Sequence, residues 1–370
     1  MLDGGHFPIQ LMMRMTRPTS LPLRMEPVLR SLTRRAARCL LLLALPSLLF
    51  AGCDLLGGND EPAAARLYPV RIDGAWGYIG VSGRIAVVPR FEGAEDFSEG
   101  LGAVQIDGLW GYVGSGGNVR IPPQYRVAGP FSEGLAAVRG EAGYGYVDAG
   151  GTLVIDAQFD LAQPFSEGRA AVRIDGRWGF IDPGGALVIE PRFSDARSFS
   201  EGFAAVESVD GWVYLDRDGA VVIDPSFTIE VAGDFVDGLA PFATSDGWGY
   251  LDRDGGPAIA PRFEQAEPFA EGLAVAAEDG RFGFIDRSGA WAVTPQFREA
   301  RPFSEGLAAV RLNARWTFLD KASLRIGMER NFMRAEPFSG GIARIFNGRE
   351  DDPDIGYIDR RGEYVWFPTK

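Results

Sequence analysis

The residues best suited to chemistry in this sequence are carboxylates that recur at a fixed spacing. Six glutamates stand in the motif Phe-Ser/Ala-Glu-Gly: Glu99, Glu133, Glu167, Glu201, Glu271 and Glu305. Such carboxylates can bind a ligand, but Ser and Glu at a tight turn also satisfy backbone donors. A catalytic site is normally one asymmetric constellation, whereas these residues return in copy after copy. We therefore predict a structural role for them.

Two aspartate-rich turns raise the question of calcium. Residues 216–219 and 252–255 both read Asp-Arg-Asp-Gly, which is faintly similar to the start of a calcium-binding loop. Both lack the downstream ligands and the bidentate glutamate that an EF-hand needs. We interpret them as turns, with a weak calcium site as the alternative.

Scarce residue types remove several kinds of active site. The only histidine is His6, and the only cysteines are Cys39 and Cys53. Beyond Cys53 the chain therefore offers no histidine for a triad or a metal site and no thiol nucleophile. It also has no phosphate loop ending in Gly-Lys-Ser/Thr. A carboxylate-pair glycan hydrolase remains as a formal alternative, with nothing to favour any pair. We expect no enzyme, with no catalytic, cofactor-binding or metal-binding residue and no cofactor.

The overall charge disfavours nucleic acid as a partner. The formal net charge is -13 at pH 7, whereas a surface that binds duplexes needs the opposite sign. With 46% hydrophobic residues the chain can bury a core. Its 49 glycines and 12% aromatic residues indicate many short strands joined by tight turns.

The N-terminus has the pattern of an export signal. Basic residues in 30–38 precede an apolar run over residues 40–50, which is too short to span a bilayer and is typical of a signal peptide. Residues 49–53, Leu-Phe-Ala-Gly-Cys, resemble the lipobox of bacterial lipoproteins, although Phe50 stands where leucine is usual. The resemblance implies cleavage before Cys53 and a diacylglyceryl group on its thiol. An ordinary signal peptide with a chance cysteine is the alternative.

These features divide the chain into three parts. Residues 1–52 are the predicted signal peptide, of which 1–24 are a misannotated extension if Met25 is the true start. Residues 53–66 are the lipidated cysteine and a short tether. Residues 67–370 form one repeat domain.

A repeat of about 34 residues accounts for that domain. A central aromatic residue marks eight copies: Trp76, Trp110, Tyr144, Trp178, Trp212, Trp248, Phe282 and Trp316. A second marker keeps the same period: Phe97, Phe131, Phe165, Phe199, Phe235, Phe269, Phe303 and Phe338. A ninth copy aligns Gly356-Tyr357 with Gly77-Tyr78. Chance cannot place two markers in phase over so many copies.

The copy from Gly168 to Glu201 predicts the secondary structure of a unit. Residues 170–174 and 177–181 read as strands joined by Asp175-Gly176, the dipeptide of a type I′ turn. A second turn leads to a third strand over residues 186–190. Each repeat is thus predicted to be a three-stranded antiparallel meander.

The ends and contacts of that unit follow from the same pattern. Pro191 is predicted to stop the third strand, so that residues 192–201 link it to the next unit. The two-residue turn places Arg173 opposite Trp178, where the cation can stack on the ring. Gly179, directly after the tryptophan, leaves room for a neighbouring backbone or ring.

The repeat resembles the WG-repeat, or KWG-repeat, family. Its pattern is Asp-Gly-X-Trp-Gly-Tyr/Phe-Ile/Val-Asp, a glycine turn, a β-branched strand and Phe-Ser-Glu-Gly-Leu-Ala-X-Val, over roughly residues 67–370. The resemblance implies repeated β-units in bacterial, often exported proteins without known catalytic residues. Local departures occur at residues 144–146, at 313–317, and at an insertion over 347–354.

Two observations bear on how nine such units are arranged. The period is short for a four-stranded propeller blade of about 40–45 residues, and no terminal strand is left over to complete a blade. We therefore predict an all-β, open superhelical array, with propeller-like closure as the alternative. The signature aromatic residues are predicted to fill the core between units, with a row of sugar-stacking platforms as the alternative.

The expected function is a non-catalytic binding or scaffolding module, lipid-anchored through Cys53 to a membrane of the cell envelope. Extended arrays suit large partners, because each unit offers a similar contact. The partner is expected to be an envelope protein or a polysaccharide. A glycan-binding envelope protein that uses the repeated aromatics is the alternative, and a carboxylate-dependent glycan hydrolase is a third.

Overall fold

The computed structural model describes residues 66–349 and 352–369. The predicted signal peptide, Cys53 and the tether up to residue 65 lie outside the described residues. Within the described part every regular element is a β-strand. No helix there has the length and apolarity needed to cross a membrane.

Nine antiparallel sheets follow one another along the chain, each in simple sequence order. The first sheet contains β1 (Tyr68–Ile72), β2 (Ala75–Ile79) and β3 (Ile85–Phe91). Sheets two to five contain β4 (Gly93–Ser98), β5 (Leu101–Ile106), β6 (Leu109–Gly114), β7 (Val119–Tyr125); β8 (Val127–Ser132), β9 (Leu135–Arg139), β10 (Tyr144–Asp148), β11 (Leu153–Phe159); β12 (Leu161–Ala162), β13 (Ala170–Ile174), β14 (Arg177–Ile181), β15 (Leu187–Phe193); β16 (Asp195–Ala196), β17 (Ala204–Ser208), β18 (Gly211–Leu215), β19 (Val221–Ile223). Sheets six to nine contain β20 (Val231–Ala232), β21 (Ala240–Thr244), β22 (Gly247–Leu251), β23 (Pro257–Phe263); β24 (Gln265–Ala266), β25 (Ala274–Glu278), β26 (Arg281–Ile285), β27 (Trp291–Phe297); β28 (Glu299–Ala300), β29 (Leu307–Leu312), β30 (Arg315–Asp320), β31 (Arg325–Ile326); β32 (Arg334–Ser339), β33 (Ile342–Arg349), β34 (Asp352–Asp359), β35 (Tyr364–Thr369).

The predicted meander is confirmed, but the predicted link between units is not a plain loop. In the fourth sheet, β13, β14 and β15 are the three expected strands, and a fourth strand, β12, pairs with β13. The stretch taken as a connection therefore supplies the first strand of the next sheet, which we call its inner strand. Inner strands are two to six residues long. A period of 34 residues is enough for four strands because the inner strand is formed by residues that were assigned to the link.

The hairpin register is confirmed, and the predicted end of the third strand is wrong. Asp175 and Gly176 both have positive φ, and Arg173 faces Trp178 as expected. The outer strand β15 runs through Pro191 to Phe193. Proline is tolerated there because β15 is an edge strand, where a missing N–H costs no hydrogen bond of the sheet.

The nine sheets close into a ring, so the predicted open array is wrong and the alternative of propeller-like closure is confirmed. Residues of the first and ninth sheets form one buried cluster that includes Tyr68, Val70, Ile342 and Tyr357. Tyr357 also donates a hydrogen bond to the carbonyl oxygen of Pro69, at 2.8 Å. We call this boundary the seam.

A repeated contact shows that the seam is built like the other boundaries. In most sheets the last glycine of the turn before the outer strand packs on the outer strand of the preceding sheet, as Gly117 does on Val87 and Gly151 on Ile121. Gly83 of the first sheet packs in the same way on Val365 of the ninth. No shared strand is needed at the seam, because side chains from both sheets complete a core there.

Candidate functional site

The strand order gives the ring two rims with different residues. One rim carries the Asp-Gly hairpins between the second and third strands, and we call it the hairpin rim. The other carries the Phe-Ser-Glu-Gly turns and the glycine turns that precede the outer strands, and we call it the carboxylate rim. Every candidate residue of the repeat lies on or between these two rims.

The glutamates of the carboxylate rim bind the backbone of the next sheet. Glu99 accepts hydrogen bonds from the backbone N–H groups of Glu133 and Gly134, at 2.8 and 2.9 Å. The same glycine N–H contact, at 2.8 to 3.2 Å, is made by Glu133, Glu167, Glu201, Glu271 and Glu305. The motif serines add a parallel set, in which Ser98 donates to the carbonyl oxygen of Phe131. These carboxylates therefore join neighbouring sheets. The sequence alone assigns their hydrogen bonds to a turn within one unit.

Two of these carboxylates also pair with arginines of the next sheet. Arg217 contacts Glu167 at 2.8 Å, and Arg253 contacts Glu201 at 2.7 Å. Partial burial alone would raise the pKa of Glu167. The hydrogen bonds from Arg217 and from the N–H of Gly202 outweigh burial and lower that pKa below its usual value.

The lowered pKa of Glu167 predicts a pH-dependent contribution to stability. Replacing Arg217 with alanine should reduce the free energy of unfolding at pH 7 by about 0.5 kcal/mol, as expected for an exposed pair. Because the folded pKa is depressed, this contribution exists above the unfolded pKa of about 4.3. It is lost as the pH falls through the folded value. Urea unfolding of wild type and Arg217→Ala between pH 7 and pH 3 measures it.

Arg287 supplies the matched control for that prediction. It occupies the same turn position in the seventh sheet and lies beside Gly238, and it makes no ion pair within the residues the structure describes, because Asp237 stands where six other copies have the motif glutamate. Arg287→Ala should leave the pH profile unchanged. A difference in unfolding free energy between wild type and Arg217→Ala that is as large at pH 3 as at pH 7 would contradict the role given to Glu167.

The aspartate-rich turns use their carboxylates internally. Asp216 Oδ1 accepts hydrogen bonds from the N–H groups of Asp218 and Ala220, and Asp252 Oδ1 does the same with Asp254 and Gly256. Asp182 makes the equivalent bonds in the fourth sheet without a second aspartate in its turn. Among the described residues no group of three or more candidate ligands could hold a metal ion.

The signature aromatic residues lie at the edges of the cores between sheets. Trp212 and Trp316 are buried, and the other six are half-buried: Trp76, Trp110, Tyr144, Trp178, Trp248 and Phe282. Arg71 stacks on Trp76, its cross-strand neighbour, at 6.0 Å from the ring centroid. Trp316 is covered instead by Arg301, at 5.7 Å.

Sequence reasoning missed the aromatic residues that contribute most to each boundary. The residue two after each signature aromatic is a fully buried Tyr or Phe, such as Tyr78 or Phe180. It contacts the motif phenylalanine of the next sheet, as Tyr78 does with Phe97, and eight such pairs have centroids 4.7 to 5.1 Å apart. The constant spacing of the two aromatic markers was visible in the sequence. Only the folded ring shows that the buried Tyr or Phe of one sheet contacts the motif phenylalanine of the next.

The seam departs from this pattern through two residues. Tyr68 stands where the other copies have glycine or alanine, and its ring contacts Tyr357 at 5.6 Å. Arg344 stands where the others have Ala, Pro or Val, and it pairs with Asp96 and with Glu336. A cavity of about 390 Å³ lies beside these residues. Tyr68 thus takes the place of a motif phenylalanine at this boundary.

A second boundary, between the eighth and ninth sheets, carries a cleft. It measures about 460 Å³ and opens on the hairpin rim. Four arginines line it: Arg301, Arg311, Arg315 and Arg334. Glu299 is the one acidic residue among its described lining residues, and it pairs with Arg311. We call this feature the arginine cleft.

Departures from the repeat in the two flanking sheets shape this cleft. In the eighth sheet Thr317 replaces the usual glycine and donates to the carbonyl oxygen of Met328, and the outer strand β31 shrinks to two residues. In the ninth sheet the insertion lengthens β33 and β34 to eight residues each. Pro353 of the longer hairpin then forms one wall.

A closed ring of nine antiparallel sheets, eight of them four-stranded and most of them joined to the next through a motif glutamate, defines a β-propeller-like repeat protein. The chain belongs to the family described as the WG containing repeat. That family matches residues 76–110, 110–139, 144–178, 178–211, 248–281 and 282–316, together more than half of the chain. No curated protein sequence matches the chain.

Solved structures share the fold at low sequence identity. A crystal structure of the eukaryotic initiation factor has a TM-score of 0.62 and 13% identity, and the match covers 81% of this chain and 94% of that one. The dihydro-heme d1 dehydrogenase NirN in complex with DHE has a TM-score of 0.46 and 14% identity, over 84% of this chain and 74% of that one. The first likeness shows the fold alone, and the second is too low to carry an argument.

Proposed function

We propose that this protein is an exported, lipid-anchored binding module of the cell envelope that catalyses no reaction. The observation that carries the proposal is a contrast between repeated and unrepeated polar residues. The repeated carboxylates and hydroxyls, such as Glu99 and Ser98, bond to the next sheet. The arginine cleft is an asymmetric concave site, which is where ligands usually bind.

Two of the eight signature aromatic residues are too buried to belong to a row of sugar platforms. Trp316 is 3% exposed and Trp212 is 8% exposed, so neither offers a free face for stacking. A cleft at one boundary of the ring suits one defined ligand or partner. We therefore place the binding function at the arginine cleft, with the ring as its scaffold.

The anchoring half of the proposal predicts a change in fractionation. Replacing Cys53 with alanine should move the exported protein from the membrane fraction to the soluble fraction, because the thiol is the proposed site of lipid attachment. Immunoblots of fractionated cells measure the distribution.

Cys39 is the matched control, since it is the other cysteine and precedes the apolar run. Cys39→Ala should remain in the membrane fraction. Membrane retention of Cys53→Ala would contradict lipid anchoring at this residue.

A further inference from the structure

We propose that the arginine cleft binds a small organic oxyanion, a ligand of about monosaccharide size that carries a carboxylate or phosphate group. The proposal rests on the binding function proposed above and names its ligand class. Guanidinium groups bind such groups through two parallel hydrogen bonds.

The charge of the cleft is opposite to that of the protein. The chain carries a net charge of -13, yet the described lining of the cleft has four guanidinium groups and one carboxylate. Arg301 and Arg315 have no carboxylate partner within the described residues. Like charges gathered in a concave site raise the local concentration of an oppositely charged ligand.

Two of the guanidinium groups are held in place by aromatic rings. Arg334 lies 3.7 Å from the centroid of the Phe346 ring, and Arg301 lies over Trp316. Stacking on a ring fixes the plane of a guanidinium group, and it leaves the N–H edge of Arg301 free for a ligand, whereas Arg334 also donates to Glu336 at 3.4 Å. The cleft is therefore ordered before a ligand arrives, which reduces the entropic cost of binding.

The size of the cleft favours an organic anion over a lone inorganic ion. Its volume of about 460 Å³ is within the usual range for small-molecule sites. Phe346, Met333 and Pro353 give it apolar surface in addition to the arginines. A ligand with a carbon skeleton and one or more oxyanion groups uses both kinds of surface.

Calorimetric titration of the full chain in detergent tests the proposal. The probes are citrate, glucuronate and glucose 6-phosphate, with inorganic phosphate as the minimal anion and glucose as the neutral comparison. We expect saturable binding of at least one organic anion, weaker binding of phosphate and no binding of glucose. Affinity should fall with added salt, because the interaction is electrostatic.

Variants of the cleft locate the binding. Arg315→Gln should weaken it about tenfold or more, since hydrogen bonds to charged groups are the stronger class. Arg301→Lys keeps the charge but loses the paired N–H groups, so it should weaken binding less than Arg301→Gln. Arg177 stands at the same repeat position as Arg315 but in the fourth sheet, and Arg177→Gln should bind like wild type. Arg315 is exposed, so its replacement leaves the melting temperature unchanged.

Two results would overturn the ligand class. One is the absence of saturable binding by every anionic probe at low salt. The other is binding that Arg315→Gln and Arg301→Gln leave unchanged. Either result with Cys53-dependent membrane retention intact defeats the ligand class and leaves the anchor standing. Anion binding by a protein whose Cys53→Ala variant stays in the membrane fraction defeats the anchor alone.

Discussion

Tyr68→Ala is expected to lower the free energy of unfolding by about 3–5 kcal/mol, the usual cost of removing a buried aromatic ring. Tyr68 is only 6% exposed, its ring contacts Tyr357, and its hydroxyl donates to the carbonyl oxygen of Ser339 at 2.8 Å. These contacts join the first sheet to the ninth. Urea unfolding of the full chain, followed by tryptophan fluorescence, measures the loss.

A boundary far from the seam provides the comparison for Tyr68. Phe199→Ala removes the equivalent ring between the fourth and fifth sheets, where Phe180 and Phe199 lie 5.1 Å apart. In a closed ring the two alanine variants should cost similar amounts. In an open array Tyr68 would belong to a free end, and its loss would cost little. Closure would therefore be contradicted if Tyr68→Ala lowered the free energy of unfolding by less than about 1 kcal/mol while Phe199→Ala lowered it by about 3–5 kcal/mol.

Removing only the hydroxyl group of Tyr68 distinguishes the contribution of packing from that of hydrogen bonding at the seam. Tyr68→Phe keeps the ring and removes the bond to Ser339, so it should cost about 1 kcal/mol. A cost close to that of Tyr68→Ala would show that the bond, and not the ring, holds the seam.

Gly179→Ala is expected to lower the free energy of unfolding by about 2–3 kcal/mol, because the added methyl group has no space. A Cβ at Gly179 would lie 2.5 Å from the carbonyl oxygen of Ile189 and 2.7 Å from the nitrogen of Pro191. Both are backbone atoms of the outer strand, so the sheet itself must shift. Thermal and urea unfolding of the variant test this.

The cause is an irregular register in the outer strand. Trp178 faces Phe193, and Phe180 faces Ile189, so the outer strand fits extra residues opposite the glycine. Six copies place the carbonyl oxygen of the outer strand 2.4 to 2.5 Å from such a Cβ: Gly77, Gly111, Gly145, Gly179, Gly249 and Gly283. Val213 replaces the glycine in the fifth sheet, and there the outer strand β19 is cut to three residues. The glycine and the long outer strand therefore occur together.

Gly140 is the matched control for the glycine prediction. A Cβ there would meet no atom within 4 Å. Gly140→Ala should leave the stability within about 0.5 kcal/mol of wild type. If Gly179→Ala were equally neutral, the explanation given for the Trp-Gly signature would fail.

Short-range patterns in the sequence determined the parts of the fold that depend on neighbours along the chain. The Asp175-Gly176 dipeptide predicted its hairpin and the pairing of Arg173 with Trp178, because a two-residue turn fixes the register on both sides. The repeat period predicted nine similar units. The space required by Gly179 was also predicted, although not which backbone atoms would fill it.

The sequence did not determine how units meet, because those contacts join residues one period apart. Glu99 reads as a turn residue in its own copy, yet it binds Glu133 and Gly134. Closure was predicted wrongly because the test applied was a shared terminal strand. The ring closes through side chains instead, and Tyr68 reads as an ordinary strand residue until Tyr357 is seen beside it.

The arginine cleft shows most clearly the difference between features that the sequence determines and features that only the tertiary structure decides. Each arginine is unremarkable in its own copy, and Arg315 and Arg334 are 19 positions apart on different sheets. The sequence determined the composition, the repeat and the local strands, since these follow from turns and alternation over a few residues. The tertiary structure alone decided closure, the bonding role of the carboxylates and the gathering of four guanidinium groups, because each depends on which sheets stand side by side in the ring.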